Sequence, residues 1–249
     1  MTAPATPAEH ERRLQALHAH QVALLAVATL AELRESDTES HLLRVQHYVR
    51  LLAQQLRLTP ALRATITDEY VDALCAAVPM YDLGTVGVPD RILLKPGKLT
   101  PDEVAIMRTH TTLGYEALVR AEKALGVSSP MLVLAQEMAL SHQEKWNGSG
   151  YPQGRVGTRI PLAARIVALA DVYDALISNK VYRQGISHAA AVQLIFTERE
   201  THFDPDVVDA FMDISPEFEA IAARFADTDA DMQRKIEYMA HAIAEPATL

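Results

Sequence analysis

Apolar residues in this chain recur every three or four positions, and no segment sustains a two-residue alternation of apolar and polar side chains. A period near 3.6 builds amphipathic helices and a period of two builds half-buried strands, so the pattern specifies an all-α fold. Leu42, Val45, Val49, Leu52 and Leu56 mark one such face. Leu14, Leu17, Val22, Leu25, Val27, Leu30 and Leu33 mark a wider one on an N-terminal helix expected from Ala8 to about Glu35. The next helix is expected over 37–56. Thr59-Pro60 offers a cap and a first-turn proline for a third, running to about Met80. Residues 82–90 then read as a long loop. Thr100 with Glu103 three positions on is a capping box, and the helix it opens carries Ile106, His110, Leu113 and Leu118. Pro161 starts a further helix, bearing Asp171 and Asp174. Helical extensions over 1–35 and 216–249 flank a main domain over 36–215. The seam Met232, Ile236, Met239 and Ile243 suits docking or a homodimer contact.

Between the helices one stretch stands out, Ser141-His142-Gln143-Glu144-Lys145-Trp146-Asn147-Gly148-Ser149-Gly150-Tyr151-Pro152. An apolar helical run ends on a histidine and a carboxylate. Gly148, Gly150 and Pro152 then turn the backbone out of helix. Ligand-type side chains where a rigid helix meets a glycine loop point to a site. His41, Asp82, His110, His142 and Asp171 lie 28 to 41 residues apart, about one to each successive helix. Facing helices of a bundle bring such residues together around a metal.

Charge limits the partners. The formal net charge is −9, so the chain lacks the basic face that DNA binding needs. A phosphate-bearing ligand must meet local cations or metal ions. The apolar run from Val22 to Ala31 is too short to span a membrane, and no signal peptide precedes it. The lone Cys75 fits a reducing cytoplasm, where the protein is expected to be found.

The loop resembles the signature of the HD-GYP family, His-His-Glu followed by Asp/Asn-Gly-x-Gly-Tyr-Pro, and the likeness continues over about 36–215. The family is a branch of the HD metal-dependent phosphohydrolases, built as a helical bundle, and its known substrate is cyclic di-GMP. The resemblance implies a divalent metal centre of two ions bridged by Asp82. His41 and Asp171 would join Asp82 on one ion, and His110 and His142 on the other. Asp37 would be a weaker ligand. Mixed imidazole and carboxylate ligation favours Fe or Mn. Lys180, Tyr182 and Arg183 match the family's Arg-Pro-Tyr-Lys/Arg segment and would, with Tyr151, bind substrate. Gly150, Tyr151 and Pro152 would form a docking surface for a diguanylate cyclase domain.

Three positions depart from the pattern. Tyr81 and Gln143 stand where the family has histidines, and Thr85 stands where it has a phosphate-binding lysine. Tyr81 would ligate only as a phenolate and Gln143 only through a carbonyl oxygen, both weak donors near pH 7. The expected function is a metal-dependent cyclic di-GMP phosphodiesterase. The alternative is a degenerate member that binds cyclic di-GMP or docks a partner. A hydrolase of free nucleotides is disfavoured by the complete Gly-Tyr-Pro loop.

Overall fold

The structure, a computed structural model, describes residues 6–34, 40–180 and 183–244. Its elements are α1 (Pro7–Arg34), α2 (His41–Leu56), α3 (Asp68–Ala77), α4 (Asp90–Leu93), α5 (Pro101–Arg108) and α6 (His110–Leu125). They continue with α7 (Pro130–Ser141), α8 (Leu162–Ile177), α9 (His188–Thr197), α10 (Pro205–Asp213), α11 (Ser215–Arg224) and α12 (Asp229–Ala244). Among the described residues there is no strand, only two isolated bridges. The all-α expectation holds.

Two helices form the centre. Helix α2 turns Leu42, Val45, Val49, Leu52 and Leu56 inward, the face its periodicity specifies. Helix α8 buries Ala163, Ile166, Val167, Leu169, Ala170 and Tyr173, covering more than one face, as expected of a helix packed on several sides. Both pack on α10, and α7 lies against α3, α6 and α8. Between them Tyr48 stacks on Phe218 with centroids 4.4 Å apart, and Tyr173 and Phe211 meet Phe218 edge-on. Each such fully buried large side chain contributes about 1.5–3 kcal/mol through removal from water. The first turn of α2 and the last turns of α8 carry the polar residues of the site.

Several boundaries differ from the sequence reading. Thr59-Pro60 opens only a single turn, with Leu62 and Arg63 both donating to the Thr59 carbonyl. The third helix starts at Asp68 instead, where Thr67 Oγ1 accepts from the Tyr70 amide and Asp68 and Glu69 favour the positive helix end. Thr59 is followed by no such acids. The expected loop at 82–90 contains a 3-10 turn over Leu83–Gly87 and then α4. The capping box of Thr100 and Glu103 forms as read, and Lys95 anchors the same glutamate. The helix it opens breaks at Thr109, whose amide and hydroxyl both turn back to the Ile106 carbonyl. That break frees the Met107 carbonyl for the ring of His110.

The C-terminal helix folds back on the domain. Met239 is buried and Lys235 Nζ donates to the Glu32 carbonyl of α1 at 2.8 Å. Ile236, of the same expected seam, is exposed, and the side chain of Ile243 lies outside the described residues. Helix α1 buries Ala28 and Ala31 while Val22, Leu25, Val27 and Leu30 face outward. Its Arg34 clamps the 85–90 segment through the Thr85, Val86 and Val88 carbonyls and Asp90.

Candidate metal centre

Asp82 precedes the 3-10 turn, and that turn lies hard against the start of α6. Gly84 makes the approach possible: a Cβ there would sit 1.8 Å from the His110 carbonyl oxygen and 2.6 Å from the Gly114 amide nitrogen. Only glycine permits backbones to meet so closely. The result sets Asp82 beside His110, the first residue of α6. His142 caps the C-terminus of α7, and Asp171 lies on α8.

Asp82, His110 and His142 form a group whose ligand atoms all lie within 4.8 Å of one another. Asp82 Oδ1 is 3.5 Å from His110 Nε2 and 3.8 Å from His142 Nε2, and the two Nε2 atoms are 3.3 Å apart. The far nitrogens fix the ring states. His110 Nδ1 is 2.7 Å from the Met107 carbonyl and His142 Nδ1 is 2.9 Å from the Met138 carbonyl. A carbonyl only accepts, so each Nδ1 carries a proton. Burial drives the His142 pKa down to about 3, with His110 adding to the fall, and burial lowers His110 as well. Neutral rings protonated at Nδ1 present bare lone pairs at Nε2. Two such lone pairs and a carboxylate oxygen therefore converge on one point. That is mutually repulsive unless a cation stands there, and it is the donor set a divalent ion takes.

The second expected group is arranged differently. His41 Nε2 and Asp171 Oδ1 are 3.6 Å apart, and Tyr81 Oη lies 3.0 Å from the first and donates to the second at 2.7 Å. Behind them His41 Nδ1 meets Asp174 Oδ2 at 2.9 Å. Arg44 grips Asp174 through Nε at 2.6 Å and Nη2 at 2.8 Å, and reaches on to Ser178, the Phe225 carbonyl and Asp227. Arg44 and His41 hold the buried Asp174 carboxyl down at about 2, overcoming the upward pull of desolvation. Asp174 thus acts as the carboxylate that orients His41. The sequence reading passed over that role, although Asp171 and Asp174 share a helix face at i, i+3.

The glycine loop closes over the first group. The Tyr151 ring stands edge-on to His110 at 6.1 Å, with the Arg108 guanidinium over it at 4.8 Å. Desolvation pushes the Tyr151 phenol up to about 12, and the charges of Asp82 and Asp171 act in the same direction. Arg108 is a cation that the sequence reading missed, three residues before Thr111 and two before His110. Glu144 is buried and braces the loop from within, accepting from the Gln153 amide at 2.8 Å and the Arg155 amide at 3.0 Å. Gly150 lies where a Cβ would meet Lys145 N at 2.3 Å. Gln143 contributes its main-chain carbonyl, which accepts from the Tyr151 amide. Trp146 packs, its amide on the His202 carbonyl and its ring beneath Arg165. Thr85 is buried and donates its hydroxyl to the Asp82 carbonyl.

Past α8, Lys180 and Arg183 pair through their main chains, and the Arg183 guanidinium donates to the Ala175 carbonyl near the end of α8. A cation is at home at a helix C-terminus. Asp37 and Tyr182, expected as ligand and substrate contact, lie outside the described residues.

Residues 26–207 match a family model described as HD domain. The chain is 50% identical over 209 residues to a probable cyclic di-GMP phosphodiesterase of Vibrio cholerae serotype O1, covering 84% of this chain and 47% of that protein. It is 47% identical over 206 residues to a cyclic di-GMP phosphodiesterase of the same organism, covering 83% and 42%. It therefore spans a little under half the length of these relatives. In fold it resembles the crystal structure of a cyclic GMP-AMP specific phosphodiesterase of V. cholerae, with a TM-score of 0.57 at 19% identity, covering 90% of this chain and 58% of that one. No helix among the described residues is long and apolar enough to cross a membrane.

Proposed function

The chain belongs to the HD-domain family, in its HD-GYP branch, and on that basis we propose that it is a metal-dependent phosphodiesterase hydrolysing cyclic di-GMP. The observation that carries the reading is the convergence of Asp82 Oδ1, His110 Nε2 and His142 Nε2 on one point. These three atoms would hold a divalent ion, with Fe or Mn favoured by a set of two imidazoles and one carboxylate. An ion bound there supplies positive charge to the phosphoryl oxygens and lowers the pKa of an attacking water.

The protein's own groups do the rest. The Met107 and Met138 carbonyls lock both rings with Nε2 forward, so no reorientation is needed when the ion arrives. Tyr151 and Arg108 stand beside His110, where the aromatic face would meet a guanine and the guanidinium a phosphate. Lys180 and Arg183, beyond α8, supply further positive charge to an anionic dinucleotide in an acidic chain. The loop of Gly150, Tyr151 and Pro152 offers a surface to a diguanylate cyclase domain.

The test is turnover of cyclic di-GMP by metal-loaded protein, by chelated protein and by Asp82→Asn. Turnover should require the metal and vanish in the variant. Hydrolysis that survives both treatments overturns the reading. Tight binding of cyclic di-GMP by loaded protein without turnover would instead make it a receptor.

A further inference from the structure

The two groups of ligand-type residues differ in what lies between their donor atoms. Asp82 Oδ1, His110 Nε2 and His142 Nε2 converge within 4.8 Å of one another. His41 Nε2 and Asp171 Oδ1 instead flank the Tyr81 hydroxyl, whose one proton goes to Asp171. His41 Nε2 and Asp171 Oδ1 are 3.6 Å apart, a separation that one divalent ion bonded to both at about 2.1 Å would bridge. Tyr81 Oη hydrogen-bonds to the same two atoms, at 3.0 and 2.7 Å. From this geometry we infer that the Tyr81 hydroxyl takes the place of a second ion, so that the protein holds one ion per chain, at Asp82, His110 and His142. The inference rests on the metal-dependent reading above and narrows it from two expected ions to one.

The surroundings keep the hydroxyl where it is. The Tyr81 side chain is buried, and its ring stands edge-on to His142 at 5.2 Å, so it forms the wall between the two positions. His41 cannot swing away, because Asp174 holds its other nitrogen and Arg44 holds Asp174 with two hydrogen bonds. For an ion to enter this position the phenol must leave its buried place, stranding two hydrogen-bonding partners. A neutral hydroxyl satisfies Asp171 as a donor at once, with no change in charge. The nearby positive charge is already present in Arg44, which lies directly behind Asp174.

Tyrosine and histidine differ here in a way the experiment can read. A phenol hydroxyl reaches as far as Asp171 and closes the gap. An imidazole at the same position ends in a lone pair and leaves the gap for an ion. Wild type, Tyr81→His and Tyr81→Phe are loaded with Mn(II), desalted, and measured for manganese per chain and by electron paramagnetic resonance. The expected results are one ion per chain in wild type, with the resolved hyperfine spectrum of an isolated Mn(II), and a rise to two exchange-coupled ions in Tyr81→His. Tyr81→Phe, which removes the hydroxyl but gains no ligand, should open the position to a weakly held second ion and fall between one and two per chain.

Two ions per wild-type chain would overturn the inference while leaving metal dependence intact. Tyr81→His remaining at one would also overturn it, since the hydroxyl would not be what closes the position. Loading with Fe(III) supplies a check independent of the variants' folding. A visible phenolate-to-iron charge-transfer band in wild type would show Tyr81 to be a ligand, and the inference would fail. No ion in wild type at all would sink the parent reading itself, a result distinct from all of these.

Discussion

Replacing Gly84 with alanine asks whether the close approach of two backbones is what assembles the centre. The added Cβ would lie 1.8 Å from the His110 carbonyl oxygen and 2.6 Å from the Gly114 amide nitrogen. Both are main-chain atoms and cannot rotate aside. To reach ordinary contact the 3-10 turn and the start of α6 must separate by about 1.5 Å, the difference between that approach and a normal van der Waals distance. Overpacking of this kind costs about 1–3 kcal/mol in stability. Its effect on the centre should be larger in proportion. Asp82 rides on one side of the gap and His110 on the other, and metal–ligand bonds tolerate only about 0.2 Å. A shift several times that size removes one ligand of three, so Gly84→Ala should lose at least tenfold in metal affinity while remaining folded. The assay is Mn(II) titration followed by calorimetry, with a urea melt on the same preparation. A variant that is destabilised yet binds metal like wild type would refute the claim that this contact positions the site.

Three other perturbations follow from the same structure. Arg44→Met should cost about 3–5 kcal/mol in urea denaturation, because it strands the buried Asp174 carboxylate; Arg44→Met combined with Asp174→Leu should recover much of that, and a single-variant loss below about 1 kcal/mol would contradict the account. Chelated protein should lose stability between pH 7 and pH 5, because His142 stays neutral when folded, its pKa held at about 3 by burial, whereas an unfolded histidine takes up a proton below about 6.5. The unfolded chain thus binds the extra proton as pH falls, which at pH 5 amounts to about 2 kcal/mol, and His142→Gln should remove a fall of that size. Arg108 is exposed above the Tyr151 ring, so Arg108→Ala should leave the melt unchanged but weaken cyclic di-GMP binding about ten- to a hundredfold; undiminished affinity would place the phosphate elsewhere.

What the sequence revealed, and what it hid, follows the reach of each interaction. The capping box at Thr100 and Glu103 was legible because its partners are three residues apart. So were the inward faces of α2, set by local period. The start of α3 was misread because Thr59-Pro60 has the form of a cap and a first-turn proline, whereas the helix opens after Thr67, where Asp68 and Glu69 follow. The break at Thr109 has no glycine or proline to announce it. In the folded site it leaves the Met107 carbonyl to the His110 ring. Asp82, His110 and His142 were singled out through the resemblance, and their meeting depends on Gly84, whose reason lies thirty residues away at Gly114. Arg44 and Asp174 are separated by 130 residues and read as ordinary helical charges until the fold pairs them. Tyr81 was visible as a departure from histidine, but where its hydroxyl goes is a fact of tertiary structure.

The central claim is that Asp82, His110 and His142 hold the ion on which hydrolysis depends. Anomalous diffraction tests it most directly, with crystals of the Mn(II)- or Fe(II)-loaded protein measured at the edge of the metal. The account predicts a peak about 2.0–2.3 Å from Asp82 Oδ1, His110 Nε2 and His142 Nε2 together. A fully loaded, active protein whose anomalous density lies away from those three atoms would contradict it.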